Sequence, residues 1–310
     1  MGLLLSGCAS QTTDNQTTAV SQINEKTTVS EIVHDERFEG YGQFIFPIER
    51  GYDESLTIDH IDSLLPYHSH INTQTTIDVL NYMTDHHDSI FYDIYTDEEK
   101  SADPSKENTG LFFFKGEKNA PFAIINAGGG FSYVGSIHES FPHALYLSQQ
   151  GYNAFALQYR TGGGDVACED LSAAIAFIFE HADELEVNTD NYSLWGGSAG
   201  ARMAAYLGSY RTESFGQDAY PRAGAIIMQY TGHSDYTTHD PATYVCVGEN
   251  DSIASWQTMQ RRIQNLKNAG IDTEFHRYPS LGHGFGLGIG TSAEGWIDDA
   301  IAFWQKQIDE

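Results

Sequence analysis

The stretch Tyr192 to Met203, YSLWGGSAGARM, constrains this chain more than any other. A β-favouring run stops at Trp195, a helix-favouring run begins at Ala199, and the pattern G-x-S-x-G (Gly196, Ser198, Gly200) lies on the joint. A turn this sharp from strand to helix holds its central serine in a strained conformation, and residues two positions either side would collide if they carried a Cβ. Glycine at 196 and 200 meets that demand. Ser198 then stands at a strand tip, with the first N–H groups of a helix, Ala199 among them, aimed at any negative charge that develops beside it. The same letters also fit a glycine-rich turn that happens to hold a serine, so the rest of the chain decides.

A turn of that kind needs a sheet behind it. Phe122 to Asn126, Asn153 to Leu157, Tyr192 to Trp195, Ala225 to Gln229, Thr243 to Val247 and Thr273 to Arg277 are apolar runs, most of them continuous rather than alternating, as in strands buried on both faces. Ile90 to Tyr95 and Leu111 to Lys115 read as two earlier strands, with the polar stretch Thr96 to Thr109 as a connecting loop. Helical stripes separate the later runs: Leu171, Ala174, Ile175, Ile178; then Trp256, Met259, Ile263, Leu266; then Ile297, Ala300, Ile301, Trp304, Ile308. Strands alternating with helices predict an α/β fold, its sheet mostly parallel and covered by helices on both faces.

In such sheets the chemistry gathers where strands end. After Asn126 come Ala127, Gly128, Gly129, Gly130 and Phe131, and three consecutive glycines let backbone N–H groups approach a ligand without side-chain interference. After Val247 comes Gly248-Glu249-Asn250-Asp251, a carboxylate just beyond a strand. After Tyr278 comes Pro279-Ser280-Leu281-Gly282-His283-Gly284-Phe285, an imidazole similarly placed. A serine hydroxyl is a poor nucleophile until a histidine takes its proton, and that histidine needs a carboxylate to fix its tautomer. Ser198, Asp251 and His283 supply the three roles in the order nucleophile, acid, base. Asp235 and Asp240 compete for the acid role because they follow the strand ending near Gln229, but Asp251 stands immediately beyond a strand and is preferred. His233 and His276 are weaker bases, the first after an earlier strand and the second inside one.

The first part of the chain is of another kind. Leu5-Ser6-Gly7-Cys8 resembles a bacterial lipobox, a resemblance that implies lipidation at Cys8, and the Thr-, Gln- and Asn-rich residues that follow bury too little to fold. The expected organisation is a signal and flexible tether over 1–30, an arm or partial cap over 31–87 and a catalytic domain over 88–310. In the arm, Phe44, Ile45, Phe46 and Ile48 suggest a strand, and Thr57 to Leu65 and Thr75 to Met83 suggest short helices. His68, His70, His86 and His87 lack the helical i,i+4 pair flanking a carboxylate that a metal would call for, so they read as surface residues. Cys8, Cys168 and Cys246 form no C-x-x-C pair, which suggests neither zinc nor a disulfide framework. A formal charge of -27 repels nucleic acid and anionic head groups. No G-x-G-x-x-G or G-x-x-x-x-G-K-[ST] loop occurs, so no cofactor is expected.

Taken together, Asn126 to Phe131, Tyr159-Arg160, Gly196 to Gly200 and Gly282 to Phe285 resemble the motifs of the bacterial α/β-hydrolases of the esterase/lipase type, near the acetyl-esterase and acetylxylan-esterase-like branch, over about residues 38–307. The resemblance implies the α/β-hydrolase fold with antiparallel strands at its N-terminal side. It also implies an oxyanion hole from the N–H groups of Gly129, Gly130 and Ala199, and a structural Arg160. Related esterases often carry histidine where Ala127 stands, a departure that leaves the backbone donors in place.

Only about a dozen residues separate the strands ending near Gln229 and starting near Thr243, where many lipases of this fold carry a helical lid. The site is therefore expected to be open and to take short acyl esters, most simply acetyl, on a small-molecule or polysaccharide alcohol. Tyr133, Gln229, Tyr230, His233 and Trp256 follow strand ends and are candidates to line it. A prolyl-oligopeptidase-like peptidase or aminoacyl hydrolase would use the same three residues, and a surface-anchored binding protein would use the fold without them. The expected location is outside the cytoplasm, at the cell envelope through a lipid on Cys8, or cytoplasmic if the lipobox match is accidental.

Overall fold

The structure is a computed structural model that describes residues 22–66 and 70–309. Among the described residues eight strands make one sheet: β1 Phe91–Tyr92, β2 Gly110–Phe114, β3 Pro121–Asn126, β4 Asn153–Gln158, β5 Asn188–Gly197, β6 Ala225–Gln229, β7 Ala242–Gly248 and β8 Thr273–Tyr278. Their spatial order is β1-β2-β4-β3-β5-β6-β7-β8. β1 and β2 pair antiparallel, as do β2 and β4, and every later pairing is parallel. Every residue of β2, β4 and β6, and all but the first of β3 and β7, is buried, as their largely apolar sequences require. β8, TEFHRY, is only half-buried and closes the edge, which explains its polar residues.

The three helical stripes fall in helices Gly164–Glu180, Trp256–Asn268 and Trp296–Asp309. Behind β5 the rings of Trp195, Trp296 and Trp304 form a fully buried group, with ring centroids 6.2 and 6.3 Å from Trp195. Burying rings of this size contributes several kcal/mol, on the order of 2–3 each.

The N-terminal part departs from expectation at several points. Phe44, Ile45 and Phe46 do not form a strand: the backbone makes 3-10 turns at Gly42–Phe44 and Ile48–Arg50. Phe44, Ile45 and Phe46 are buried there, so their apolar character serves the core without a ladder. Thr57 to Leu65 forms a 3-10 helix, Ile58–Ser63, and the next segment a full α-helix, Thr73–Asp85. Thr96 to Thr109 is not a plain loop. A capping box between Thr96 and Glu99 starts helix Asp97–Ala102, and a 3-10 turn follows at Pro104–Asn108.

A flexible tether through residue 30 is also corrected. Ile23 is buried and exchanges hydrogen bonds with Asn81, and Val29 is fully buried at the start of helix Val29–Val33. Residues from Ile23 to Met83 join the same apolar core as the sheet, with the Tyr41 ring stacked 5.0 Å from Phe91 of β1. The arm also borders the strand-end loops: His70, Ile71, Asn72 and Thr75 line a groove with Ile137, His138 and Leu287. Cys8 and His68 lie outside the described residues. His70, His86 and His87 are exposed, and no described residues form a group of three His, Cys, Asp or Glu placed to hold a metal. No described helix is long and apolar enough to cross a membrane.

Candidate active site

At the end of β5 the backbone turns through Ser198, φ 51° and ψ −112°, directly into helix Ala199–Tyr210. Those angles lie outside the wells that a non-glycine residue ordinarily occupies, so packing must hold them. Ser198 N–H donates to the carbonyl of Gln229 on β6 at 3.0 Å. A Cβ on Gly196 would lie 2.2 Å from the carbonyl carbon of Gly200, and a Cβ on Gly200 would lie 1.9 Å from the carbonyl oxygen of Asn126. Glycine at both positions is therefore a steric necessity here.

The loops after β7 and β8 are stitched together. Asn250 N–H donates to Leu281 at 2.9 Å and Glu249 N–H to Tyr278 at 2.8 Å. Within this pair of loops, Asp251 Oδ2 lies 2.8 Å from His283 Nδ1, and His283 Nε2 lies 3.1 Å from Ser198 Oγ. Asp251 Oδ1 accepts from the N–H groups of Ile253 and Ala254 at 2.8 and 2.7 Å, which fixes the carboxylate. The Asp251 side chain is 0% exposed and that of His283 10%. A carboxylate at Nδ1 selects the tautomer that leaves Nε2 free to accept the serine proton.

The glycine loop faces the same point. Gly128 N–H turns inward to the Glu139 carboxyl, whereas no acceptor among the described residues meets the N–H groups of Gly129, Gly130 or Ala199. Gly129, at φ +144°, packs against the carbonyl of Tyr133, and Gly130, at φ +62°, has open space beside it. The Tyr159 hydroxyl donates to the Ala127 carbonyl at 2.7 Å, anchoring the loop from below through its backbone.

The other candidates are engaged elsewhere. Asp240 pairs with buried Arg262 at 2.7 Å, and Asp235 accepts from the Tyr210 hydroxyl. His276 pairs with Glu274 on the edge strand at 2.5 Å. Of the residues expected to line the site, Tyr133 borders the glycine loop and carries the Arg50 guanidinium over its ring at 5.1 Å. The rest are corrected. Gln229 is buried and donates to the Gly286 carbonyl, Tyr230 is fully buried beneath the serine turn, and His233 is 3% exposed against the Tyr206 ring. Trp256 lies under Arg277, whose guanidinium sits 4.4 Å from its ring, against β8. At a strand end the chain turns, and for Gln229, Tyr230 and His233 it turns the side chains into the interior.

Burial pushes the His233 ring down to about 4 and the His143 ring likewise to about 4. Burial pushes the thiols of Cys168 and Cys246 up, so neither supplies a thiolate near neutrality. Arg160 closes on the buried Asp170 and on Asp103 and Glu169, tying the end of β4 to helix Gly164–Glu180. Sequence reading missed Glu139 altogether. No signal marked it: Ile137 to Leu145 reads IHESFPHAL, in which polar His138, Ser140 and His143 stand beside it, so neither pattern nor composition sets this carboxyl in the interior.

A mostly parallel sheet in this strand order, with its serine turn leaving β5 and an aspartate and histidine leaving β7 and β8, has the α/β-hydrolase fold. Residues 113–238 match the BD-FAE family model. The chain is 22% identical to the acetylxylan esterase of Xylanibacter ruminicola, over 60% of this chain and 45% of that protein, and so spans less than half of that relative's length. Among solved structures it is similar to the acetyl ester-xyloside bifunctional hydrolase of Caldicellulosiruptor lactoaceticus, at TM-score 0.62 and 20% identity over 70% of this chain and 95% of that one. It is also similar to a thermophilic esterase of Thermogutta terrifontis with propionate bound, at TM-score 0.56 and 20% identity over 64% and 89%.

Proposed function

We propose that this protein hydrolyses short-chain carboxylic esters, acetyl esters first, through an acyl-enzyme on Ser198. The observation that carries the reading is the continuous chain from Asp251 through His283 to Ser198, 2.8 and 3.1 Å, ending at a strained turn beside uncommitted N–H groups. His283 Nε2 takes the hydroxyl proton as Oγ bonds to the ester carbon. The carbonyl electron pair moves onto oxygen, where Gly129, Gly130 and Ala199 donate to it. The tetrahedral species collapses with loss of the alcohol, which takes its proton from His283. Water, deprotonated by the same ring, then attacks the acyl carbon, and the bond to Ser198 Oγ breaks as His283 returns the proton to that oxygen, releasing the acid.

The preference for a short acyl group is supported by residues 230–241, which join β6 to β7 without a helix. A carbohydrate alcohol is supported by the likeness to an acetylxylan esterase. Turnover of p-nitrophenyl esters of rising chain length tests the acyl preference, and faster hydrolysis of decanoate than of acetate overturns it. Release of acetate from acetylated xylan, set against cleavage of aminoacyl p-nitroanilides, separates the esterase from a peptidase. We propose further that Cys8 carries a lipid that holds the protein at the cell envelope. Failure of Cys8 to take up a labelled fatty acid in a bacterial host would contradict that.

A further inference from the structure

Glu139 is an interior carboxyl group that the reaction at Ser198 leaves without a task. It precedes helix Ser140–Gln149 and is 1% exposed. Its Oε2 accepts the Gly128 N–H, and its Oε1 accepts the Tyr230 hydroxyl at 3.0 Å. No Lys or Arg among the described residues pairs with it, and burial pushes its carboxyl pKa up. A carboxyl group held from water by two donors and no cation is costly to keep, which calls for a compensating role.

Its surroundings come from three loops. A Cβ on Gly197 would lie 2.6 Å from Glu139 Oε2, so the serine turn closes directly onto the carboxyl. Gly128 belongs to the glycine loop. Tyr230, which donates to Glu139, accepts the Gly286 N–H at 3.3 Å, and its ring meets that of His283 edge-on at 5.0 Å. One carboxyl group thus touches the loop that carries Gly129 and Gly130, the turn that carries Ser198 and, through one tyrosine, the loop that carries His283.

We infer that Glu139 is a positioning residue for the reaction at Ser198, acting with Tyr230. It draws the Gly128 N–H inward, which leaves those of Gly129 and Gly130 turned toward the reacting carbonyl, and through Tyr230 it sets the His283 loop. The inference rests on the ester-hydrolase reading. Such a group acts on the transition state more than on ground-state binding, so its loss lowers kcat and spares KM.

The test uses the full chain with Glu139→Gln, Glu139→Ala and Tyr230→Phe, assayed on p-nitrophenyl acetate with thermal unfolding followed in parallel. Glutamine keeps the shape and one acceptor, so kcat is expected to fall about tenfold in Glu139→Gln and about a hundredfold or more in Glu139→Ala, the scale of losing one oxyanion donor. KM should change by less than about threefold, and Tyr230→Phe should lower kcat by about tenfold. A group that only filled space would lower the unfolding midpoint, leave kcat of the folded protein alone and show no rescue by glutamine. If Glu139→Ala does not fold, Tyr230→Phe decides. Folded variants with kcat within about twofold of wild type, while wild-type Ser198 still takes a fluorophosphonate, overturn the role of Glu139 alone. A wild-type protein that takes no fluorophosphonate overturns the hydrolase reading and this inference with it.

Discussion

The carbonyl oxygen of Tyr133 occupies the space a side chain on Gly129 would need: a Cβ there would lie 1.9 Å from it. Gly130, the next residue, has no atom of the described residues within 4 Å of its notional Cβ. The two glycines are therefore present for different reasons. Gly129→Ala must push the loop off Tyr133 and displace the donors, and should cost about a hundredfold or more in kcat. Gly130→Ala keeps its N–H in place and costs only the left-handed backbone penalty of about 1 kcal/mol, so its kcat should fall less than tenfold. Steady-state kinetics on p-nitrophenyl acetate compare the two.

The carboxylates that competed for the acid role separate by what each one holds. Asp251→Asn should lower kcat by about ten-thousandfold by freeing the wrong His283 tautomer, with little loss of stability. Asp240 lies in an ion pair with Arg262 whose side chains are 1% and 2% exposed. Asp240→Ala leaves that arginine buried without its partner and should cost about 3–5 kcal/mol of stability, while the protein that remains folded keeps its turnover. Urea denaturation and kinetics on both variants check the division.

Stability should fall as the solution is acidified below pH 6.5. The rings of His143 and His233 take a proton only near pH 4 in the folded chain, whereas in the unfolded chain they take it near 6.5, so the unfolded state binds more protons throughout that window. Each ring can remove up to about 3 kcal/mol by pH 4. Glu139 acts in the opposite sense. Its raised pKa gives stability that is present below the unfolded carboxyl range and is lost as pH rises through the folded value. His233 Nε2 is buried and has no hydrogen-bond partner among the described residues, so His233→Phe should flatten the acid slope at no comparable cost at pH 7.5. Urea midpoints between pH 7.5 and 4.5 measure it, and an unchanged slope would contradict the assignment.

Much of the sheet was legible because strands buried on both faces are apolar along their middle, as β2, β4 and β7 are. The serine turn was legible because Gly196 and Gly200 answer a steric demand, and Asp251 and His283 because each follows a strand end directly. What remained hidden depends on where a chain points after its strand. Gln229, Tyr230 and His233 leave β6 in the positions that suggested pocket walls, yet Tyr230 takes φ +31° and the run turns inward. No periodicity encodes that turn. The 3-10 turns near Phe44 were hidden because burial alone explains apolar residues without fixing their backbone. Helix Asp97–Ala102 was there to be read: Thr96 and Glu99 stand at capping-box spacing.

The central claim is that Ser198 is the nucleophile. Intact-mass spectrometry after exposure to a fluorophosphonate tests it most directly, with the wild-type chain beside Ser198→Ala. The account predicts a single adduct on the wild type, carried by the peptide that contains Ser198, and none on a folded Ser198→Ala variant whose turnover has dropped by on the order of a millionfold. An unlabelled wild type, or a Ser198→Ala variant that labels and turns over as wild type does, would contradict it.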